Sequence, residues 1–246
     1  MRIPRIYQDH PLEVGQTIEL DVFATTHIIR ALRMRVGNLI TLFNGQGGEY
    51  TAQIETINKK TTHVNVTEFI DKTVESPLGI HLGQVISRGN KMDFTIQKAV
   101  ELGVTAITPI VSERCNVHLD EERKKKRLIH WERIIISACE QSGRTVLPTL
   151  HPITRIDRWI QQCETPLKLI LHPAESDASF DKSGHYASAA LLVGSEGGLT
   201  DNEIALATQH AFLPIQLGAR VLRTETAGLA ALSVLQYVFG DFNSSH

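Results

Sequence analysis

Cysteine is scarce in this chain. The three cysteines, Cys115, Cys139 and Cys163, are odd in number and lack metal-ligand spacing, which argues against a disulfide framework and for a reducing, cytoplasmic setting. Long hydrophobic runs are missing too. Nothing reaches the length of a membrane span, and the first residues carry no apolar core of signal-peptide length, so no membrane association is expected. No excess of either charge stands out: 25 basic against 27 acidic residues leave a net charge of −2, so a nucleic-acid partner has to be argued from local clusters. The glycine spacings match neither a P-loop nor a dinucleotide fingerprint, and Ser195 lies in no Gly-x-Ser-x-Gly elbow, which removes support for a hydrolase triad. Eleven histidines are scattered without ligand spacing, so no metal is expected. Internal repeats and low-complexity segments are absent. At 246 residues, 42% hydrophobic and 21% charged, the composition is that of an ordinary globular protein with one large or two modest domains.

What is present concentrates near the end, over residues 191–229. Two turn-rich signatures lie there, Gly194-Ser195-Glu196-Gly197-Gly198 and Leu217-Gly218-Ala219-Arg220-Val221-Leu222-Arg223-Thr224-Glu225-Thr226-Ala227. Each follows a short apolar run, 189–193 and 212–217, of the length of a buried strand. The signatures are therefore expected just past the C-terminal ends of strands, where open α/β sheets place ligands and where glycine lets a ligand approach the backbone. A glycine cluster after a strand can also be a plain turn. The second signature is less easily explained so, because a turn needs none of Arg220, Arg223 and Glu225. His172-Pro173, after an apolar run at 167–171, makes a third such loop.

In order along the chain, residues 3–70 read as short alternating strands with turns at Asn44-Gly45 and Gly47-Gly48, the pattern of a small β-barrel. Thr26 is expected to cap a short helix that places Arg30 and Arg33 on one face, with Arg35 close by and Gly37 beyond it. That face is either a phosphate-binding or simply a solvated one. The polar stretch 71–78, with Ser76-Pro77, marks a domain boundary, giving domains of 1–73 and 74–246. Beyond it, strands and helices alternate: strand 80–86, a helix after Asn90 stopped by Gly103, strand 105–111, a long helix from about Asp120, strand 147–150, helix 153–163 and strand 167–171. Such alternation implies a mainly parallel sheet with helices on both faces. Cys139, Glu140, Gln141, Ser142 and Arg144 give the end of the long helix an unusual polar density.

Over essentially its full length the chain resembles the RsmE family, methyltransferases of the SPOUT class that methylate N3 of a uridine in 16S ribosomal RNA. The resemblance rests on Met1-Arg2-Ile3-Pro4-Arg5, residues 27–37, Lys91-Met92-Asp93-Phe94-Thr95-Ile96-Gln97-Lys98 leading into Glu101-Leu102-Gly103-Val104, Ala138-Cys139-Glu140-Gln141-Ser142-Gly143-Arg144, and the two C-terminal signatures. Ser195, and often Ala219, stand where the family has proline, which removes local rigidity from those loops. The resemblance implies a PUA-like RNA-binding β-barrel at 1–73, then a trefoil-knotted α/β domain at 74–246 that binds S-adenosylmethionine. The cofactor residues would be Leu171, His172, Val193, Gly194, Glu196, Gly197, Gly198, Leu217, Gly218, Arg220, Leu222 and Ala227. A helix from about Thr224 to Phe239, carrying Leu229, Leu232, Leu235 and Gln236, would serve the knot and a homodimer interface. RNA contacts would come from Arg2, Arg5, Arg30, Arg33, Arg35, Lys91, Lys98, Glu140 and Gln141, and the partner would be 16S rRNA in the small subunit.

N3 of uracil carries a proton, so the site needs a base or a cation that stabilises the uracil anion. Arg223 is the first choice for that cation and Arg144, reaching in from the partner subunit, the second, with Glu225, Glu196 and Glu140 as carboxylates that act as base or orient an arginine. Two other functions stay open from the residues alone: a knotted ribose 2′-O-methyltransferase, or an RNA-binding assembly factor without turnover.

Overall fold

In the computed structural model of the chain, residues 3–115, 120–172 and 183–243 are described. They form two compact units: the residues up to Glu75 together with Ile136–Leu147, and Ser76–Ile135 together with the residues from Pro148 on.

The first unit is built on β1 (Arg5–Tyr7), β2 (Thr17–Glu19), β3 (Leu39–Phe43), β4 (Glu49–Ile57) and β5 (Thr62–Ile70), joined in the order β1-β3-β4-β5-β2. β1 runs parallel to β3 and the other neighbours are antiparallel. Alternate residues point to one side, and Ile40, Leu42, Ala52, Ile54, Val64 and Val66 form a single buried cluster with Ile6 and Ile18. Each large aliphatic side chain buried this way contributes roughly 1.5–3 kcal/mol. Register shifts at Thr51/Ala52 and Ile54/Thr56 bend the β4–β5 pair, which lets one sheet enclose one core.

The expected helix starts earlier than the sequence suggested. Asp21, not Thr26, is the cap: its carboxylate accepts from the Phe23 and Ala24 amides at 2.7 and 2.8 Å, opening α1 (Val22–Thr26). Thr26 is already helical, and its hydroxyl donates back to Val22 O at 2.8 Å. The chain then widens into a π-helical turn over His27–Ala31, and Arg33 takes a left-handed φ of 50°. Arg30 and Arg33 therefore share no helical face. Val22, at the start of α1 and inside the stretch read as alternating strands, is 76% exposed.

The second unit is a seven-stranded sheet whose strand pairs among the described residues are all parallel. Its strands are β6 (Gly79–Val85), β7 (Ala106–Val111), β8 (Thr149–Leu150), β9 (Thr154–Arg155), β10 (Leu167–Leu171), β11 (Ser188–Val193) and β12 (Leu213–Ile215). The order is β12-β10-β11-β6-β7-β8, with β9 also on β7. From β6 the chain works outward to β7, β8 and β9, then returns to the other side of β6 for β10 to β12; ligand crevices in open sheets form at such a reversal. The intervening helices are α2 (Lys91–Glu101), α3 (Glu121–Ser142), α4 (Ile156–Gln162), α5 (Asp201–Gln209) and α6 (Thr224–Phe239). α2 buries Met92, Ile96, Ala99 and Val100 on the face its spacing predicts, and Trp131, Ile135 and Ala138 of α3 are likewise buried. α5 was not read from the sequence, although Thr200 and Glu203 form the reciprocal capping box that signals a helix start.

The polar end of α3 belongs to the first unit. The Tyr7 amide donates to Glu140 Oε1 at 3.1 Å, and the buried Arg144 guanidinium lies on Glu75, with Nε to Oε2 at 2.9 Å. Burial pushes the Glu140 carboxyl up despite the Tyr7 amide, and burial above all pushes the Cys139 thiol up to about 12, leaving that cysteine inert. The density of polar residues at 139–144 is an anchor.

Candidate active site

The C-terminal ends of the strands of the second unit surround a cavity of about 570 Å³. Leu171 and His172 after β10 form one wall, and the His172 amide donates to Ile215 O at 3.1 Å, holding the ends of β10 and β12 together. The first glycine signature forms a second wall, from Val193 to Leu199, and the second signature a third, with Leu217, Arg220, Val221, Leu222 and Arg223. Thr224 and Ala227, at the start of α6, close the remaining side with Lys91 and Arg114. Lys91 follows β6 and Arg114 follows β7, so five strand ends feed one site.

The first signature is a tight turn: the Gly198 amide donates to Ser195 O at 2.9 Å, and Gly198 has a φ of +70°. Arg114 clasps it from outside, Nη1 donating to Leu199 O at 3.2 Å and to Gly197 O at 3.4 Å. A Cβ on Gly197 would sit 3.2 Å from both Cβ and O of Arg114, so glycine is needed there for the clasp to approach. Lys91 Nζ meets Glu196 Oε1 at 3.0 Å. Burial pushes the Glu196 carboxyl up, but its own amide, Lys91 and the Arg88 amide together outweigh burial and hold it below the ordinary carboxylate range. Below the turn, Glu203 accepts from the Thr200 and Glu113 amides, each at 2.8 Å, tying the end of the loop to the end of β7. The hydroxyl of Ser195 is buried without a hydrogen-bond partner among the described residues.

Of the twelve cofactor residues expected from the sequence, eleven line this cavity. Gly218 does not; its φ of +74° shapes the second loop from behind. Arg223 is exposed on the cavity wall, at the N-cap position of α6. Glu225, in the first turn of α6, is not on the wall, and its Oε2 is buried with no hydrogen-bond partner among the described residues. Arg144 is not brought here: it is buried on Glu75 in the first unit.

The expected RNA residues are spread more widely. Lys91 lines the cavity, and Lys98 is paired with Glu101 at 2.7 Å. Arg30, Arg33 and Arg35 are exposed on the first unit. Arg5 is a correction, because its guanidinium pairs with Glu49, donates to Arg144 O at 3.0 Å and stacks 4.9 Å over Phe43, leaving the side chain only 7% exposed. The half-buried Glu140 accepts from the Tyr7 amide, and Gln141 beside it is exposed. Arg2 lies outside the described residues. The face of α6 expected at a dimer interface is also corrected in part: Leu232, Leu235 and Gln236 are buried within the second unit, where Gln236 bonds Ser76 at 2.6 Å and Leu102 O at 3.0 Å.

Arg114 is the main residue that the sequence reading missed. It stands just past the end of β7, and that position was the available signal, the same one that marked the glycine loops.

Comparison with known proteins accords with this geometry. Residues 74–236 match the family model described as an RNA methyltransferase domain, and residues 24–67 match an RNA methyltransferase PUA domain. The chain belongs to the RNA methyltransferase family. Among its relatives, the ribosomal RNA small subunit methyltransferase E of Buchnera aphidicola subsp. Schizaphis graminum is 41% identical over 98% of this chain and 99% of its own length. The protein of the same name from Bacillus subtilis is 29% identical over 92% of each chain. A Legionella pneumophila methyltransferase structure, solved with the bound cofactor SAM, superposes with a TM-score of 0.95 at 45% identity, covering 98% of this chain and 100% of its own. The ribosomal RNA small subunit methyltransferase E of Neisseria gonorrhoeae, bound to S-adenosyl methionine, gives 0.90 at 40% identity with the same coverage. This family member thus has the fold class that the resemblance implied, a SPOUT-type α/β unit with a PUA domain before it.

Proposed function

We propose that this methyltransferase carries the methyl group of S-adenosylmethionine to N3 of a uridine in the 16S rRNA of the small ribosomal subunit. One observation carries the reading: both sequence signatures, distant from Lys91 and Arg114 in the chain, converge on one cavity at the strand ends. Its volume of about 570 Å³ falls in the range of small-molecule sites, and its walls combine apolar Leu171, Val193, Leu217 and Leu222 with the exposed backbone of a glycine turn. Those residues fit an adenosine joined to an amino-acid chain. When bound, the cofactor supplies an electrophilic methyl group.

The protein's own part is to make N3 a nucleophile. Arg223 is exposed to the cavity, and the positive end of α6 begins beside it, so both favour negative charge on the uracil carbonyls. Glu196 is a poor proton acceptor, being held below the ordinary range and paired with Lys91, and suits an orienting role better. Glu225 has a carboxylate oxygen without a hydrogen-bond partner among the described residues, but it lies off the cavity wall, so it too suits an orienting role better than that of a base. A contribution of Arg144 would have to come from a second copy of the chain.

On this reading, residues 1–73 bind RNA and residues 74–246 perform the transfer. The exposed Arg30, Arg33 and Arg35 would neutralise phosphates, and the protein would act in the cytoplasm. A homodimer would use what α6 leaves uncovered, including Val234 and Tyr237, which are 40% and 62% exposed.

The test is product analysis. The protein is incubated with labelled S-adenosylmethionine and small subunits from a strain lacking this activity, and the rRNA is digested to nucleosides. Label in 3-methyluridine is expected. Label in a 2′-O-methyl nucleoside would replace the reading with ribose methylation, and cofactor binding without label would leave a non-catalytic assembly factor.

A further inference from the structure

Beside the cofactor cavity lies a second one, of about 450 Å³, with a wall in common. Lys91, Arg114 and the 195–197 turn face both, whereas Ile86 and Arg88, just past the end of β6, face only the second. We propose that this second cavity seats a phosphodiester of the substrate RNA, with Arg88 as its outer cation and Lys91 and Arg114 as its inner ones; the proposal rests on the reading above that the substrate is RNA.

Charge decides the class of ligand. Three cations from two segments, Arg88 and Lys91 after β6 and Arg114 after β7, surround one carboxylate, Glu196, in a chain whose net charge is −2. The Glu196 charge is already matched by Lys91 at 3.0 Å. Arg114 spends its hydrogen bonds on the neutral carbonyls of Gly197 and Leu199 and makes no ion pair among the described residues. The Arg88 side chain is exposed and has no hydrogen bond or ion pair among the described residues; only its amide is used, donating to Glu196 at 3.4 Å. The eleven-residue helix α2 begins at the same place, and Asn90, at its N-cap position, makes no side-chain bond to the first-turn amides. The positive end of that helix therefore adds to the field of the three cations. A cationic or apolar ligand would be disfavoured here, and an anion with extended reach past the exposed Arg88 is favoured.

The shared wall gives the arrangement its meaning. Because Lys91, Arg114 and the 195–197 turn line both spaces, a phosphate held by Arg88 and Arg114 would lie next to the cofactor cavity, so that one nucleotide bridges the two spaces, its backbone in one and its base directed to the other. Arg88 is then a binding residue that sets the register of the target nucleotide and takes no part in the chemistry.

The experiment uses the full chain, S-adenosylmethionine and small subunits lacking the modification. Arg88→Gln is expected to raise KM for the particles roughly tenfold and to make the dependence of log K on log salt shallower by about 0.7–0.9, the loss of one phosphate contact. kcat and the calorimetric cofactor affinity should stay within about twofold of the parent, since losing one phosphate contact weakens RNA binding and leaves transfer alone. Arg88→Lys, which keeps the charge, should recover most of the lost affinity. Unchanged KM and salt slope in Arg88→Gln would overturn the proposal, and so would a loss of cofactor affinity, which would assign the cavity to the cofactor's carboxylate. Failure of the parent protein to methylate the particles would instead overturn the underlying reading, a result distinct from any behaviour of the variant.

Discussion

The hydroxyl of Thr224 donates to the carbonyl oxygen of Gly194 at 2.5 Å, joining the second signature to the first. Gln84 of β6 completes the link, its Nε2 donating to Thr224 Oγ1 at 3.2 Å in a fully buried setting. The start of α6 and the glycine turn are thereby held in one register, and both line the cavity proposed to hold the cofactor.

Thr224→Val keeps the shape and removes the hydroxyl, leaving the Gly194 carbonyl and the Gln84 amide short of a partner. The expected cost is about 1–3 kcal/mol of stability, together with a fall in cofactor affinity of about tenfold as the two loops lose their registration. Thr224→Ser should retain both. Calorimetric titration with S-adenosylmethionine and a thermal melt check this; equal affinity in Thr224→Val would detach the bond from the cofactor site.

A second consequence concerns acid. His81, on β6, has its Nε2 at 2.7 Å from Thr108 Oγ1 and accepts from Trp159 Nε1 at 3.4 Å. Burial, and after it the nearby His151, push its pKa down to about 4 from 6.5. The unfolded chain therefore binds this proton more readily than the folded one. Stability from this source is complete above pH 6.5 and falls as pH drops toward 4. Between pH 7 and pH 5 the loss due to His81 alone is about 2 kcal/mol. In urea unfolding, His81→Gln should lose less stability than the parent over that interval by about this amount. An identical pH dependence would mean that His81 carries no such linkage.

Much of the second unit was legible because its elements have strong periods and clear stops. The apolar face of α2 and the placement of both signatures after strands follow from spacing and glycine alone, whereas the extent of α6 came from the family resemblance. What failed depended on partners far away in the chain. The polar residues 139–144 read as a site because nothing local shows that Glu140 serves the Tyr7 amide or that Arg144 lies on Glu75. Arg5 read as a phosphate contact because its commitment to Glu49 spans 44 positions. The helix near Arg30 was misplaced for a local reason: Asp21 caps better than Thr26, and a π-helical turn has no sequence period that marks it.

That misplacement changes how the basic segment is tested. Arg30 lies in the π-helical turn and Arg33 beyond it at a left-handed φ, so they present two separate cations rather than one stripe. Each should then contribute on its own. Arg30→Ala and Arg33→Ala are expected to make the salt dependence of small-subunit binding shallower by less than one unit apiece, and the double variant by the sum, with cofactor affinity untouched. Filter binding across a salt series measures this. A double variant with the parent's slope would mean these arginines are merely solvated.

In the proposed function Arg223 bears on the chemistry itself. It is exposed on the cavity wall at the head of α6, immediately before Thr224, which fixes its backbone in the site. A competing view makes it the structural partner of Glu225, in which case its removal would strand a buried carboxylate and destabilise the fold. The geometry weighs against that view, because Glu225 Oε2 is buried without any hydrogen-bond partner among the described residues even with Arg223 present. Among the described residues there is thus no Arg223–Glu225 ion pair for its removal to break. If Arg223 stabilises the charge that develops on the uracil carbonyls, Arg223→Ala should slow single-turnover methylation by about two to three orders of magnitude, as loss of an oxyanion-type donor does. Lysine keeps the charge but not the planar fork, so Arg223→Lys should recover only part of the rate. Both variants should melt within a degree or two of the parent, since no buried pair is broken, and bind small subunits with similar affinity, since the arginine acts on the transition state more than on the bound base. A normal single-turnover rate at saturating RNA and cofactor would remove Arg223 from the chemistry, and a collapse of the melting temperature would restore the structural view.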